Sequence, residues 1–216
     1  MYKKCIKRVL DFIVALLIMP FVFLLIIVMA PVIYINDPGP IFYNAERRGM
    51  NGKTFKMYKL RSMYVNSPDI KNADGSTFNS ASDPRVTTVG RFMRKMSIDE
   101  VPQIFNVLKG DMSFIGPRPT LPRVPYSELD NMRKKRLTVR PGITGYAQAY
   151  YRNSITQEEK FKYDCVYVEN ISFATDFKII IHTIFSVLKS ENIYVSNNEA
   201  PDLSLVEKKD TEAVRK

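Results

Sequence analysis

Residues 12–35 form one apolar run, FIVALLIMPFVFLLIIVMAPVIYI, without a charged side chain. As an α-helix this run would be about 36 Å long, whereas the hydrocarbon core of a bilayer is about 30 Å thick. A cleaved signal peptide fits poorly, because the run is longer than a usual h-region and no small-x-small cleavage site follows it. The sequence therefore predicts an anchor that is retained and is long enough to enter or cross a membrane.

Two features of this run bear on its topology. Pro20 lies near its middle, and proline removes a backbone donor and kinks a helix. Basic residues flank the run on both sides, and positively charged flanks favour the cytoplasm. A helix that enters the membrane, breaks at Met19-Pro20 and returns would satisfy both features. A single kinked transmembrane helix is the alternative, because membrane helices tolerate proline.

Positive charge is concentrated in the N-terminal part of the chain. The net charge is +10, and residues 1–65 carry ten Lys and Arg against three Asp and Glu. Such a cluster beside an apolar segment attracts an anionic membrane surface or a phosphate-bearing ligand. Nucleic acid is an alternative partner for a basic protein.

The two cysteines and the single histidine restrict the chemistry. Cys5 and Cys165 are far apart and lack CxxC spacing, which indicates neither a disulfide framework nor a zinc site and fits a reducing cytoplasm. His182 is the only histidine, so Ser-His-Asp and Cys-His catalysis are excluded unless this residue supplies the base. Carboxylates therefore become the leading candidates for catalysis.

Beyond the apolar run, the sequence predicts a mostly helical soluble part with one small β-hairpin. Asp37-Pro38-Gly39-Pro40 ends the anchor, and two β-prone runs, 41–43 and 54–58, flank the turn dipeptide Asn51-Gly52. Residues 66–85 are rich in turn-forming residues and predict a long loop. Helical patterns follow at 89–96, 97–110, 126–136, 157–169 and 176–189.

The last of these helices carries an apolar stripe at helical spacing. Burial in a domain core and docking on the membrane interface both explain such a stripe. Its members are Phe177, Ile180, Ile181, Ile184, Phe185 and Leu188. After Asn192 the chain is polar, which predicts a disordered tail. The predicted organisation is an anchor at 1–36, a soluble domain at 37–194 and a tail at 195–216.

A pair of adjacent carboxylates follows the first helical pattern. Asp99 and Glu100 lie in SIDEVP, at a predicted helix start, where unpaired N–H groups and the helix dipole stabilise anions. A purely structural interpretation competes, because Ser97-x-x-Glu100 also fits a capping box. Pro102 weakens that interpretation, since a proline at the fifth position after the cap would cost a backbone hydrogen bond. The pattern alone leaves both interpretations open.

Two basic turns follow the carboxylate pair. They are Gly116-Pro117-Arg118-Pro119 and Arg140-Pro141-Gly142, with Arg94 one turn before the pair and Arg152 beyond the second turn. Arginine suits bidentate binding of phosphate. A single arginine is more often a solvated surface residue. The grouping of these arginines around Gly and Pro turns favours phosphate binding.

Residues 3–194 resemble the small monotopic bacterial sugar transferases, also called polyprenyl-phosphate phosphoglycosyl transferases. Several long motifs carry the resemblance in the same order along the chain. They are KRVLDFIVALL, GPIFYNAERRGMNGKTFKMYKLRSM, SIDEVPQIFNVLKGDMSFIGPRP, VRPGITGYAQ and KFKYDCVYVENISFATDFKIII.

The resemblance implies both an architecture and a reaction. It implies a monotopic membrane protein on the cytoplasmic face of the inner membrane, with a re-entrant helix broken at Pro20, both of its ends cytoplasmic, and amphipathic helices resting on the lipid. It makes 37–194 the catalytic domain. There Asp99 would attack the sugar-linked phosphate of a UDP-sugar and release UMP, and polyprenyl (undecaprenyl) phosphate would then take the phospho-sugar from the aspartate. This would be the first membrane step of glycoconjugate or polysaccharide assembly.

The resemblance also assigns roles to individual residues. Asp99 and Glu100 form the catalytic dyad, and Mg²⁺ is the cofactor, with Glu100 and Asp164 as its carboxylates. Nucleic acid is not a partner in this interpretation, whereas inner-membrane lipid is. Substrate binding falls to Lys59, Arg61, Arg94, Arg118 and Arg152.

Some positions depart from the family pattern. Met19 precedes the proline where a small polar residue is common, and Tyr146 replaces a frequent tryptophan. Residues 149–151, Ala-Tyr-Tyr, replace a turn that more often bears glycine, so sugar choice could differ. The alternative function is a membrane-tethered basic module that binds nucleic acid or anionic lipid without catalysis. The Asp99-Glu100 pair distinguishes the two functions.

Overall fold

The structure is a computed structural model that describes residues 2–189, apart from 71–77, 79, 81 and 153. The predicted tail at 195–216 lies outside the described residues. The described part is mostly helical, as predicted, with two small pairs of strands. After a π-helical turn at Tyr2–Ile6, the elements are α1 Lys7–Asn36, β1 Ala45–Arg48, β2 Thr54–Met57, α2 Thr88–Lys95, α3 Ile104–Lys109, β3 Ser113–Ile115, α4 Asn131–Arg136, β4 Gly142–Thr144, α5 Tyr146–Tyr150, α6 Gln157–Glu169 and α7 Phe173–Lys189.

Helix α1 contains the apolar run and is about 45 Å long. It continues through Pro20 and Pro31, so the predicted division into two helices at Met19-Pro20 is not seen. A proline removes only its own N–H from the ladder of helical hydrogen bonds, and flanking turns can continue past it. Among the described residues, α1 is the one helix long and apolar enough to cross a membrane.

One face of α1 packs against the rest of the protein along the length of the helix. Its buried residues recur mostly at three- and four-residue spacing, which places them on one stripe. Ala15, Met19 and Val22 pack in a cluster with residues of α3, and Met29 and Ile33 pack in another with Leu60 and Met93. The opposite face carries exposed large apolar side chains, among them Leu17, Phe21, Leu24, Ile27 and Ile35.

Polar contacts fix both ends of α1 to the same folded unit. Near the N-terminus, Arg8 donates to the carbonyl oxygens of Val107 and Leu108 at 2.6 and 3.0 Å, where α3 ends. At the C-terminus, Asp37 forms an ion pair with Arg61. The first and last turns of α1 therefore both contact the same folded domain.

The predicted hairpin is confirmed, although its first strand begins later than expected. Strands β1 and β2 pair antiparallel with Ala45 opposite Met57. The predicted run 41–43 continues this pairing through an isolated antiparallel bridge between Phe42 and Leu60. The predicted turn residues Asn51 and Gly52 have φ of 55° and 80°, a conformation suited to Asn and Gly. A second pair, β3 and β4, is parallel and was not predicted, because three-residue strands beside Gly-Pro turns leave no alternating pattern.

The C-terminal helices follow the prediction in position. Helix α6 coincides with the predicted segment 157–169 and begins at a capping box of Thr156 and Glu159. The predicted helix at 126–136 is instead a 3₁₀ turn at Tyr126–Glu128 followed by α4, which Asp130 caps by accepting from the Arg133 N–H at 2.7 Å.

Helix α7 buries a narrow face and exposes its apolar stripe. Ile179 is fully buried and Asp176 is 3% exposed, whereas Phe177 and Phe185 are more than half exposed. The interpretation that the domain core buries this stripe is therefore wrong for Phe177 and Phe185. Docking on the membrane interface is the other interpretation. The exposed members are Phe177, Ile180, Ile181, Ile184 and Phe185.

Candidate active site

The carboxylate pair lies on a 3₁₀ helix, Ile98–Gln103, directly after α2. Ser97 joins the two helices with a left-handed backbone, φ 57°, and its side chain caps neither. The capping-box interpretation of Ser97 and Glu100 is therefore wrong. Asp99 is 2% exposed, and the Leu60 N–H donates to its main-chain carbonyl at 2.9 Å.

Lys59 contacts both carboxylates. Its Nζ lies 2.7 Å from Asp99 Oδ2 and 3.6 Å from Glu100 Oε1. Asp99 Oδ2 is buried, and the ammonium group of Lys59 is its ion-pair partner. The charge of Asp99 is thus compensated by Lys59.

Glu100 is paired with the first of the predicted basic turns. Arg118 donates to Glu100 Oε1 at 2.9 Å. Burial alone would raise the pKa of Glu100, but the positive charges of Arg118 and Lys59 and their hydrogen bonds lower it to about 2. Glu100 therefore remains a carboxylate across the physiological pH range.

Further cations surround this pair. Arg152 has a left-handed backbone with φ 48°. Burial lowers the pKa of Arg152, and the negative charge of Glu100 opposes this shift. Burial and the charge of Arg118 lower the pKa values of Arg47 and Lys160. The sequence prediction missed Arg47 and Lys160, because one sits in a hairpin rich in basic residues and the other on an ordinary helix. The positive charge around the dyad favours an anionic ligand.

Asp164 is more deeply buried than Glu100 and is paired with Arg136. Arg136 donates to Asp164 Oδ2 at 3.0 and 2.6 Å, and both side chains are almost fully buried. Arg136 also donates to the Arg118 carbonyl at 2.7 Å. Burial raises the pKa of Asp164, and the charge of Arg136 opposes this. The pair thus fixes the turn that presents Arg118 to Glu100.

The remaining predicted substrate-binding residues lie among structural contacts. Arg94 Nε donates to Ser62 Oγ at 3.0 Å. Arg61 Nε donates to the Pro40 carbonyl at 2.6 Å, and its guanidinium pairs with Asp37. Arg61 therefore stabilises the C-terminal end of α1 through its contacts with Pro40 and Asp37. Of the predicted site residues, the structure assembles Asp99, Glu100, Lys59 and Arg118, with Arg152 nearby.

A buried carboxylate surrounded by lysine and arginine can act as a nucleophile toward a phosphate-bound substrate, and the cations can offset charge on the phosphate. No group of three or more His, Cys, Asp or Glu side chains that could hold a metal occurs within the described residues. Fold and site together favour an enzyme that acts on an anionic substrate next to a long apolar helix.

The protein belongs to the bacterial sugar transferase family, whose family model matches residues 2–190. It is 39% identical over 194 residues to the uncharacterized sugar transferase EpsL of Bacillus subtilis, covering 89% of this chain and 92% of EpsL. It is 44% identical over 162 residues to the galactosyl transferase CpsE of Streptococcus agalactiae, covering 71% of this chain and 36% of CpsE.

A third relative carries a more specific name. The chain is 37% identical over 207 residues to the undecaprenyl-phosphate galactose phosphotransferase of Salmonella typhimurium, covering 88% of this chain and 42% of that protein. The chain therefore spans nearly all of EpsL but less than half of the other two relatives. As a member of this family the protein is a transferase.

Proposed function

We propose that this protein transfers a phospho-sugar from a UDP-sugar to polyprenyl phosphate, releases UMP, and passes through a covalent aspartyl intermediate. The observation that carries the proposal is the buried carboxylate of Asp99, whose Oδ2 lies 2.7 Å from Lys59 Nζ and which adjoins Glu100, itself paired with Arg118. Relatives named as undecaprenyl-phosphate sugar phosphotransferases support the overall reaction.

In the first step a carboxylate oxygen of Asp99 attacks the sugar-linked phosphorus. The new bond joins Asp99 to phosphorus, the bond to the UMP oxygen breaks, and UMP leaves with the electron pair of that bond. In the second step a phosphate oxygen of polyprenyl phosphate attacks the same phosphorus and releases the carboxylate. The product is a polyprenyl-diphosphate-sugar, and Asp99 is regenerated.

The surrounding cations suit this chemistry. Lys59 holds the Asp99 carboxylate as an ion pair and restricts its position. Arg118 lies on the Glu100 side of the dyad, and Arg152 lies near Glu100. These groups can bind the diphosphate and offset the charge that develops on its oxygens. Arg47 and Lys160 extend the same positive region.

Mg²⁺ is the proposed cofactor, and Glu100 is its proposed carboxylate. Magnesium sites often use one or two carboxylates together with substrate phosphates and water, so the Asp99-Glu100 pair fits without a larger acidic cluster. When bound, the ion would neutralise charge on the phosphoryl oxygens. Asp164 was the second predicted metal carboxylate, but its side chain is 3% exposed and paired with Arg136, whereas the Glu100 side chain is 18% exposed, and we therefore assign the metal to Glu100.

The membrane arrangement proposed here is monotopic, on the cytoplasmic face of the inner membrane. Both ends of α1 contact one soluble domain, and the exposed face of α1 is apolar along its length. The exposed stripe of α7 provides a second lipid-facing surface. Basic residues flank α1 at both ends, which favours the cytoplasmic side. The lipid acceptor would then approach the site from the same membrane face.

The alternative, a basic module that binds nucleic acid or anionic lipid without catalysis, is not favoured. A surface that only binds has no need of a buried carboxylate at its centre, because burying a charged group is costly even when it is paired. Membership of a transferase family also favours catalysis.

Mass spectrometry of the intact protein tests the covalent step. Incubation with Mg²⁺ and a UDP-sugar, without lipid acceptor, should add the mass of one phospho-sugar and release one UMP. UDP-galactose, UDP-glucose and UDP-N-acetylgalactosamine form a suitable panel, because relatives are named for these sugars. Asp99→Asn should remove both the adduct and UMP release. Full UMP release by a folded Asp99→Asn variant would contradict the mechanism, and Tyr64→Ala, at an exposed tyrosine, serves as the control.

A further inference from the structure

An open, mainly apolar groove of about 480 Å³ lies between α3 and the segments that precede and follow the hairpin. Its volume is within the range of about 300–1,000 Å³ that is usual for small-ligand sites. The reaction steps proposed above assign no role to this groove. Its lining residues are Phe42, Asn44, Tyr58, Phe105, Leu108 and Lys109.

Aromatic contacts join the groove to the exposed face of α1. The rings of Phe105 and Tyr58 meet edge to face, with 6.2 Å between their centroids. Phe105 meets Phe23 of α1 in the same way at 5.6 Å. Phe23 is 51% exposed and belongs to the apolar face of α1 that is proposed to contact lipid. The groove is therefore continuous with that lipid-facing surface.

The groove and the dyad share the chain segment 58–60. Tyr58 directly precedes Lys59, whose Nζ lies 2.7 Å from Asp99 Oδ2. Phe42 pairs with Leu60 in an antiparallel bridge, and the Leu60 N–H donates to the Asp99 carbonyl at 2.9 Å. Two lining residues of the groove are thus neighbours of the two residues that contact Asp99 directly.

This segment separates an apolar side from a charged side. Residues 58–60 run antiparallel to 41–43 as extended chain, in which successive side chains point to opposite faces. Tyr58 lines the groove and Leu60 packs against α1, whereas Lys59 contacts the dyad. The groove therefore lies on the α1 side of the segment, and the dyad lies on the other side.

Contacts with α3 hold the groove in its open shape. Asn106, which is fully buried on α3, accepts from the Tyr58 N–H at 2.9 Å. Lys109 Nζ donates to the Tyr58 hydroxyl at 3.2 Å and lies 5.2 Å from the centroid of its ring. Tyr58 is thus fixed against α3, so little side-chain freedom is lost when a ligand binds.

We propose that this groove binds the hydrocarbon chain of the polyprenyl phosphate acceptor next to its phosphate. The proposal rests on the proposed function and deepens it. The acceptor combines a long apolar chain with an anionic end. An apolar groove on the α1 side suits the chain, and the cations around Asp99 and Glu100 suit the phosphate. The UDP-sugar donor has no hydrocarbon chain, so the apolar lining does not suit it.

The two half-reactions of the proposed mechanism separate effects on the acceptor from effects on the donor. Phe42 is 38% exposed, so its truncation removes groove contacts with little effect on folding. Phe42→Ala should form the aspartyl adduct and release UMP without acceptor at the wild-type rate. Its KM for undecaprenyl phosphate should rise about tenfold, equivalent to about 1.4 kcal/mol. Methyl phosphate carries no chain, so it should discharge the adduct within twofold of the wild-type rate.

A second variant and a matched control keep the test independent of folding. Asn44 is exposed, and Asn44→Trp should narrow the groove and raise the same KM without removing a core contact. Phe92→Ala truncates an exposed phenylalanine outside the groove lining and should change neither half-reaction. An unchanged KM for undecaprenyl phosphate in both Phe42→Ala and Asn44→Trp would overturn the proposal.

The remaining outcomes are also decisive. Slower adduct formation in Phe42→Ala, or slower discharge by methyl phosphate, would place the effect on the donor or the dyad and overturn the proposal. An unchanged KM together with weaker binding to phosphatidylcholine vesicles would assign the groove to bulk lipid, which also overturns it. A wild-type protein that releases no UMP from any UDP-sugar would instead contradict the proposed function itself.

Discussion

At the scale of single residues, the proposed site depends on how its two carboxylates are paired with cations. Lys59 lies 2.7 Å from the buried Oδ2 of Asp99. Glu100 instead accepts from Arg118 and keeps a low pKa. Two adjacent carboxylates thus have different surroundings, which suits a nucleophile beside a cation-binding group.

The pH dependence of catalysis should report the contact between Arg118 and Glu100. The pKa of Glu100 is about 2 in the folded protein, so the wild-type carboxylate stays charged down to that pH. Arg118→Gln removes the main charge that lowers this pKa, and the pKa should rise. The acid-side fall of kcat/KM should therefore move to higher pH in this variant. Arg118→Lys keeps the charge and serves as the control; an acid limb displaced equally in both variants would contradict the electrostatic cause.

Asp164 and Glu100 should respond differently to removal of their charges. Asp164→Asn leaves Arg136 buried without its partner, which should cost about 3–5 kcal/mol of stability and lower Tm. The Mg²⁺ concentration required for adduct formation should not change in the fraction that stays folded. Glu100→Gln should raise that requirement with a smaller loss of Tm. A higher Mg²⁺ requirement in Asp164→Asn would support Asp164 as a metal carboxylate.

At the scale of secondary-structure elements, sequence patterns predicted where helices and strands lie better than they predicted which side chains are exposed. The Asn51-Gly52 turn predicted the hairpin because its backbone needs positive φ, and the predicted helical segment 157–169 coincides with α6. The apolar stripe of α7 predicted a helix correctly, yet periodicity cannot tell a core from a membrane, since both accept apolar side chains. Strands β3 and β4 pair through three residues each, too few to show a period. The contacts of Asp164 with Arg136 join distant segments, and local patterns do not encode them.

A substitution at Gly90 should test how closely α2 packs against the segment that contains Lys59 and Ser62. A Cβ added at Gly90 would lie 2.0 Å from the Ser62 carbonyl oxygen. Gly90→Ala should therefore destabilise the protein by about 1–3 kcal/mol, although the same change in an exposed helix would stabilise it by up to about 1 kcal/mol. Thermal unfolding should show a lower Tm for Gly90→Ala and an unchanged or higher Tm for Thr88→Ala on the exposed face of α2. A stabilised Gly90→Ala variant would contradict the close packing.

At the scale of the whole molecule, α1 and the soluble domain constrain the topology together. A helix of about 45 Å could cross a bilayer of about 30 Å, but its two ends would then lie on opposite sides. Here Arg8 contacts the end of α3 and Asp37 contacts Arg61, so one domain holds both ends. A full crossing would require these contacts to break or the domain to enter the lipid. If α1 is instead embedded in the membrane along one face, all of these contacts are kept.

Thiol labelling should distinguish the embedded arrangement from a full crossing. Cys5 is exposed in the folded protein, so protection from a membrane-impermeant maleimide would report the side of the membrane rather than burial. In intact cells that carry Cys165→Ser, Cys5 should stay unlabelled and react only after permeabilisation. Tyr64→Cys in a chain that also carries Cys5→Ser and Cys165→Ser places one thiol on the domain beyond α1. It should behave identically, because the embedded arrangement puts both ends of α1 in one compartment. Labelling of Cys5 in intact cells while the second thiol stays protected would establish a full crossing, and the contacts at one end of α1 would then have to form differently in the membrane.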